Sequence, residues 1–219
     1  MNKIKQILAR YKALKSNKPF YIGLGVGVLF LGLSLFFNYE ANGYTAASIS
    51  VAANDIFLDH LPIMKVDGIF LEGAIILTFF AIALALYRPN RIPFMLKAAA
   101  LFIAVRSFFV ILTHLAPPLG ALTAPTSNFL ERLAAGSGKD LFFSGHTGLP
   151  FLAALVFWQN KFLRIFFLLA SMIFGGAVLL GHLHYSIDVF SAFFITYGIF
   201  HLARWLFKKD YAMFREVAD

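Results

Sequence analysis

The chain has 219 residues, 60% of them hydrophobic and only 14% charged, and its mean hydropathy is +0.76. Soluble domains run about 45–50% apolar and about 25% charged, so this composition excludes an ordinary water-soluble domain and points to an all-α integral membrane protein. There is no cysteine, which excludes disulfides and thiolate metal sites, and the net charge of +8 raises nucleic acid as a partner until its distribution is considered.

Apolar runs of about 20 residues read as spanning helices. In chain order they are Pro19 to Asn38, Gly68 to Tyr87, Phe94 to Thr113, His146 to Trp158, Phe162 to Leu180 and Tyr185 to Trp205. The fourth is short. The predicted organisation is a basic tail over 1–18, a six-helix catalytic domain over 19–207 and a C-terminal tail over 208–219. The first run is too long for a signal-peptide core of about 7–15 residues, and no convincing small-residue cleavage site follows it, so it reads as a retained anchor. Its Gly23, Gly25, Gly27 and Gly32 read as close helix packing rather than a nucleotide loop, because no strand precedes them.

Basic residues sort by loop. Lys3, Lys5, Arg10, Lys12, Lys15 and Lys18 precede the first span, and Arg88, Arg91 and Lys97 surround the second turn. Lys161 and Arg164 lie between the fourth and fifth spans, and Arg204, Lys208, Lys209 and Arg215 follow the sixth. Six spans put all of these on one face. Lys65, Arg132 and Lys139 lie opposite, with Arg106 inside the third span. The basic face is expected to be cytoplasmic with both termini. The charge is then a topology signal and an anionic-lipid contact, and no nucleic acid is expected as a partner. Compact size and short loops suggest a bacterial inner membrane, with the opposite face extracytoplasmic.

Two loops open on that opposite face. Residues Tyr39 to Asp67 mix apolar and polar residues, and Ala46 to Leu61 is expected as an interfacial helix. His114 to Phe143 is rich in Pro, Gly and Ser.

The chemistry gathers at the mouths of these loops. Ser144-Gly145-His146-Thr147 opens the fourth span, and His184-Tyr185-Ser186-Ile187-Asp188 opens the sixth. Ionisable residues at such positions are costly and mark function. His184 and Asp188 are four residues apart, which on a helix puts them on one face. The carboxylate then fixes the imidazole tautomer and frees the other nitrogen as nucleophile or base. Ser144, Gly145 and Thr147 at a helix N-terminus favour an anion such as phosphate. One histidine as nucleophile and the other as general acid suits phosphoryl transfer from an ester.

The remaining polar residues carry two readings each. Arg106 either grips phosphate through its guanidinium or pairs structurally with Glu72. Glu72 is alternatively a proton acceptor, and Asp140 orients His146 or a headgroup. His182 lines the site or is simply a loop residue. Its i, i+2 spacing to His184 is seen in metal sites, but on a helix such residues point apart, and no metal and no cofactor are expected. Asp59 and His60 read as solvated loop polars, and His114 and His201 as structural. The aromatic helices read as lipid-facing and core surface.

Phe143 to Thr147 and His184 to Val189 resemble the third and fourth signature motifs of the sphingomyelin synthase family, a branch of the wider type 2 phosphatidic acid phosphatase (PAP2) superfamily. Arg106 to Thr113, running on to Leu115-Ala116-Pro117-Pro118, looks like the second motif, and Leu61-Pro62 to Asp67 resembles the first only weakly. The pattern departs from the classical phosphatase motifs: Ala81 stands where Lys precedes Arg-Pro, and Ala177-Val178 stands where Ser-Arg is expected. The resemblance implies a six-helix bundle whose substrates are a phospholipid and a lipid alcohol such as ceramide or diacylglycerol. By it, His184 attacks the headgroup phosphorus, Asp188 orients His184, and His146 protonates the leaving oxygen. Arg106, Ser144, Gly145, Tyr185, Asp140, Glu72 and His182 then form the phosphate and headgroup surroundings. The competing activities are a lipid phosphatase or phospholipase C-like hydrolase using water as acceptor, and a non-enzymatic transporter or scaffold.

Overall fold

The computed structural model describes residues 3–48, 51–121 and 141–215. They form α1 (Lys3–Leu14), α2 (Lys18–Ala47), α3 (Ala74–Tyr87) entered through one π-helical stretch (Gly68–Gly73), α4 (Ile92–Leu112), α5 (Gly145–Val156), α6 (Lys161–Leu180), α7 (Ser186–Leu206) and α8 (Lys208–Arg215). Among the described residues five helical segments are long and apolar enough to cross a membrane. The fourth expected span is the exception. Its 12 residues rise about 18 Å against a hydrocarbon core of about 30 Å. Leu141, Phe142 and Phe143, which would have lengthened it, are non-helical and lead into the cap at Ser144.

Helix starts follow local chemistry. The Asn17 and Asn160 side chains accept from the N–H groups of Phe20 and Leu163, both at 3.0 Å, and so cap α2 and α6. Ser144 caps α5, accepting from the Thr147 N–H at 3.3 Å. Pro150 inside α5 has no N–H to give to the carbonyl of His146, four residues back.

Helix α2 runs past its expected end at Asn38 to Ala47, with Ala41 and Thr45 buried, and the Thr45 hydroxyl bonds back to the Ala41 carbonyl at 2.7 Å. No proline interrupts residues 39–47, so the helix continues. The expected interfacial helix over Ala46 to Leu61 is therefore replaced by the end of α2, an irregular stretch and a short 3-10 turn, Leu58–His60.

Helix α2 packs along α4, and α5 packs against α6 and α7. Of the α2 glycines, Gly23 and Gly27 do the close packing: a Cβ at Gly27 would meet Leu96 at 3.2 Å, and one at Gly23 would meet Pro93 at 3.2 Å. Gly25 and Gly32 face open space and are not part of that seam. The core joins Phe94, Phe102, Phe143, Phe167, Phe200 and Phe214, so phenylalanines fill the interior as well as the lipid-facing surface. Gly148 is the closest approach on α5, where a Cβ would lie 2.7 Å from the Phe102 ring and 2.9 Å from the Thr196 hydroxyl.

Residues near each terminus dock onto one end of the bundle. Arg10 donates to the Tyr87 carbonyl at 2.9 Å and lies over the Tyr87 ring at 4.6 Å. Lys97 on α4 and Asp210 on α8 form a buried ion pair at 2.6 Å. This basic end is the opposite end of α7 from His184.

Candidate active site

The two histidine motifs meet at one backbone contact. The Ser144 N–H donates to the Asp188 carbonyl at 3.0 Å. This bond fixes the start of α5 against the first turn of α7. Ser171 on α6 adds a second fixed point, its hydroxyl donating to the Thr147 carbonyl at 2.7 Å, fully buried.

His184 and Asp188 pair, but not along a helix face. Helix α7 begins at Ser186, so His184 lies in the turn before it. Asp188 is the third helical residue and reaches back, as acidic residues at that position do. Its Oδ2 accepts from the Tyr185 N–H at 2.9 Å and faces His184 Nδ1 at 3.4 Å. The shorter bond holds the carboxylate, and the histidine contact is correspondingly long. Asp188 is fully buried, and its Oδ1 has no hydrogen-bond partner among the described residues. A proton on His184 Nδ1 directed at Asp188 leaves Nε2 as the lone-pair nitrogen. Backbone bonds from Leu183 (2.9 Å) and His184 (3.4 Å) to the Val178 carbonyl hold the turn against the end of α6.

His146 sits at the first turn of α5, its ring stacked on Phe70 at 4.1 Å and near Phe174 at 6.1 Å. It lies within electrostatic range of both His184 and Arg106. Arg106 reaches across from α4, its Nε donating to the Phe143 carbonyl at 2.8 Å. A Cβ on Gly145 would come 3.4 Å from Arg106 Nε, so the guanidinium rests against the start of α5. A helix start exposes N–H groups without helical partners, and here an arginine stands beside it. His184, Asp188, His146, Arg106, Ser144 and Gly145 thus converge from α4, α5 and α7. What they can do chemically is receive an anion and pass a phosphoryl group between oxygen and an imidazole nitrogen.

The other expected site residues are placed differently. Tyr185 is buried, and its hydroxyl accepts from the Ala53 N–H at 3.0 Å and donates to the Ala116 carbonyl at 2.8 Å. It pins both loops at the histidine end of the bundle. His182, in the left-handed region at φ 50°, presents Nδ1 to the Leu119 carbonyl (3.2 Å) and Nε2 to the Leu61 carbonyl (3.3 Å), spanning the same two loops. Glu72 is exposed on the π-helical stretch and makes no ion pair or hydrogen bond among the described residues, with Arg106 or otherwise. Asp140 lies outside the described residues. Asp59 and His60 are exposed, as expected of loop polars. Among the described residues no three His, Asp or Glu side chains group to hold a metal ion.

Asp55 is the residue that motif reading missed. Its carboxylate accepts from the N–H groups of Ser186 (2.6 Å), Phe57 (2.9 Å) and Leu58 (3.3 Å). It thereby clamps the first of the loops at the histidine end to the N-terminus of α7. Partial burial pushes its pKa up, but the bonds from the Ser186 N–H and hydroxyl and from the Leu58 and Phe57 N–H groups outweigh this and hold it below the ordinary carboxylate value. The Asp-x-Phe turn was a local signal for it; its second partner, 131 residues away, had none.

Five apolar helices, a short capped sixth and a buried His–Asp pair at their mouth define an integral membrane protein with an enzyme-like polar centre. Residues 138–205, which hold both histidine motifs, match the family model described as PAP2 superfamily C-terminal. That match covers about a third of the chain and supports a relationship to the PAP2 superfamily, whose members are phosphatases and phosphotransferases. Arg106 lies outside the matched residues. No curated protein and no solved structure matches the chain.

Proposed function

We propose that the protein is a phospholipid headgroup transferase of the sphingomyelin synthase-like kind, working on the face of the membrane opposite its basic loops, in a bacterial inner membrane with both termini cytoplasmic. The observation that carries this reading is the buried His184–Asp188 pair, tied to the start of α5 through Ser144, with Arg106 against Gly145.

In the first half-reaction His184 Nε2 attacks the phosphorus of a glycerophospholipid, and the bond from phosphorus to the glycerol oxygen breaks. That oxygen takes a proton from His146 and leaves as diacylglycerol. The headgroup phosphate is then held on His184. Arg106 and the first N–H groups of α5 stabilise the charge that builds on the phosphoryl oxygens, while Asp188 stabilises the imidazole in its reactive orientation. In the second half-reaction a lipid alcohol gives its proton to His146, its oxygen bonds to phosphorus, and the P–N bond breaks.

The PAP2 match accommodates equally a second reading, in which water takes the place of the lipid alcohol and the protein is a phosphatase or phospholipase C-like hydrolase. Purified protein incubated with labelled phospholipid, with and without ceramide, separates the two. The transferase predicts a labelled sphingolipid that depends on ceramide. Free phosphocholine or phosphoethanolamine released at the same rate with or without ceramide overturns it, and inorganic phosphate released from phosphatidic acid assigns the phosphatase.

A further inference from the structure

The histidine cluster leaves most of the cationic side chains unused. At the other end of α7 the chain turns at Phe207 from α7 into α8, and three cations, Arg204, Lys208 and Arg215, line a common open groove with His201, Trp205 and Tyr211. A cavity of about 320 Å³ adjoins it, shares Arg204 and Arg215, and adds Arg91. No carboxylate lines either of them among the described residues. The near acid, Asp210, points the other way, its Oδ2 held by Lys97 at 2.6 Å.

A topology signal alone requires basic residues in a loop, not their convergence. Here the convergence is built. The Arg204 guanidinium lies 4.8 Å from the Tyr211 ring and 5.6 Å from the Phe200 ring, and Arg91 lies over Phe214 (4.8 Å) and Phe157 (5.6 Å). Among the described residues, Arg204 Nε is buried without a hydrogen-bond partner. Leaving a buried charged donor unsatisfied is costly, and a bound anion removes that cost.

We propose that the basic end carries a second ligand site, separate from the histidine cluster, which binds a phosphate-bearing anion with Arg204, Lys208 and Arg215 as its cationic lining. Trp205 and Leu206, both exposed, flank these cations and suit a ligand whose phosphate sits at a bilayer surface. The shared chemistry is the phosphate group; its source is either an anionic lipid headgroup or a free phosphate.

The test uses the full chain in vesicles of phosphatidylcholine alone and of an equal mixture with phosphatidylglycerol. Lipid retained after transfer to detergent is read by native mass spectrometry, and inorganic phosphate is titrated against the intrinsic tryptophan fluorescence in phosphatidylcholine vesicles. For a lipid source, wild-type protein retains phosphatidylglycerol about tenfold over phosphatidylcholine, Arg204→Gln loses that preference, and Lys208→Gln weakens it severalfold. For a free source, phosphate alone changes the fluorescence and Arg204→Gln abolishes the change. Lys161→Gln, an exposed basic residue outside the groove and the cavity, keeps either response. The proposal is overturned if neither response exists, or if Lys161→Gln loses as much as Lys208→Gln. Should Arg204→Gln fail to fold, Lys208→Gln against Lys161→Gln decides alone, since Lys208 is exposed.

Discussion

Each end of the bundle holds a buried side-chain pair built on a carboxylate, and the two are built differently. At the basic end Lys97 and Asp210, 113 residues apart, approach to 2.6 Å and join α4 to α8. At the histidine end His184 and Asp188, four residues apart, stand at 3.4 Å, and one carboxylate oxygen has no partner among the described residues. The first pair is short, connects distant segments and serves packing. The second connects nothing that the backbone had not already brought together, and its carboxylate is shared with the Tyr185 N–H. A pair that holds a fold closes on itself; a pair meant to react keeps a nitrogen and an oxygen unspent. On the proposed function, stability and chemistry are divided between opposite ends, and that division can be broken experimentally.

His184→Ala is the largest test. It is expected to lower turnover of labelled phospholipid by about 10³-fold or more while leaving the thermal midpoint near that of the wild type. Turnover close to wild type in a folded variant would remove His184 from the mechanism. Lys97→Met is expected to do the reverse. It strands a buried carboxylate at a cost of about 3–5 kcal/mol, seen as a lower unfolding midpoint, with the activity per folded molecule kept. If activity falls with stability intact, the two ends are not separable.

Tyr185→Phe sharpens the account of the histidine end. It removes the bonds to Ala53 and Ala116 and is expected to cost about 1–2 kcal/mol, with a larger rise in protease cleavage of the loops there than loss of turnover. A loss of turnover without loosening of the loops would instead make Tyr185 a substrate contact. Asp55→Asn is the smallest, about 1 kcal/mol or less at neutral pH. The Asp55 pKa is lowered in the fold, so its contribution is full above the unfolded value of about 3.9 and is lost as pH falls through the lower folded value. Thermal midpoints of wild type and Asp55→Asn should therefore converge only as the pH drops below about 4. A constant gap down to strongly acid pH would show that the bonds to Ser186, Phe57 and Leu58 do not depend on the charge.

Much of this was readable from local pattern. The span Gly68 to Tyr87 has the same limits in the fold, and those of α4, α6 and α7 lie within two residues of the expected ones, because a bilayer demands long apolar runs with satisfied backbones. Ser144 is a helix cap, and His184 and Asp188 do meet, both through contacts within four residues. The shortness of α5 already showed in its apolar run, whereas the extension of α2 to Ala47 was less legible, since hydropathy marks what is apolar and not where a helix stops.

What the sequence by itself determined is a bundle of membrane helices with a His–Asp pair and a second histidine at helix mouths. Spacing and hydropathy act over a few residues, and those features need no more. The tertiary structure alone decided that Ser144 grips the Asp188 backbone, that Arg106 rests on Gly145, that Asp55 clamps Ser186, and that Tyr185 and His182 hold the loops at the histidine end. It alone gathered three cations along one open groove at the far end. Each of these joins segments tens of residues apart, and such contacts follow from how helices pack against one another rather than from any one segment's preference.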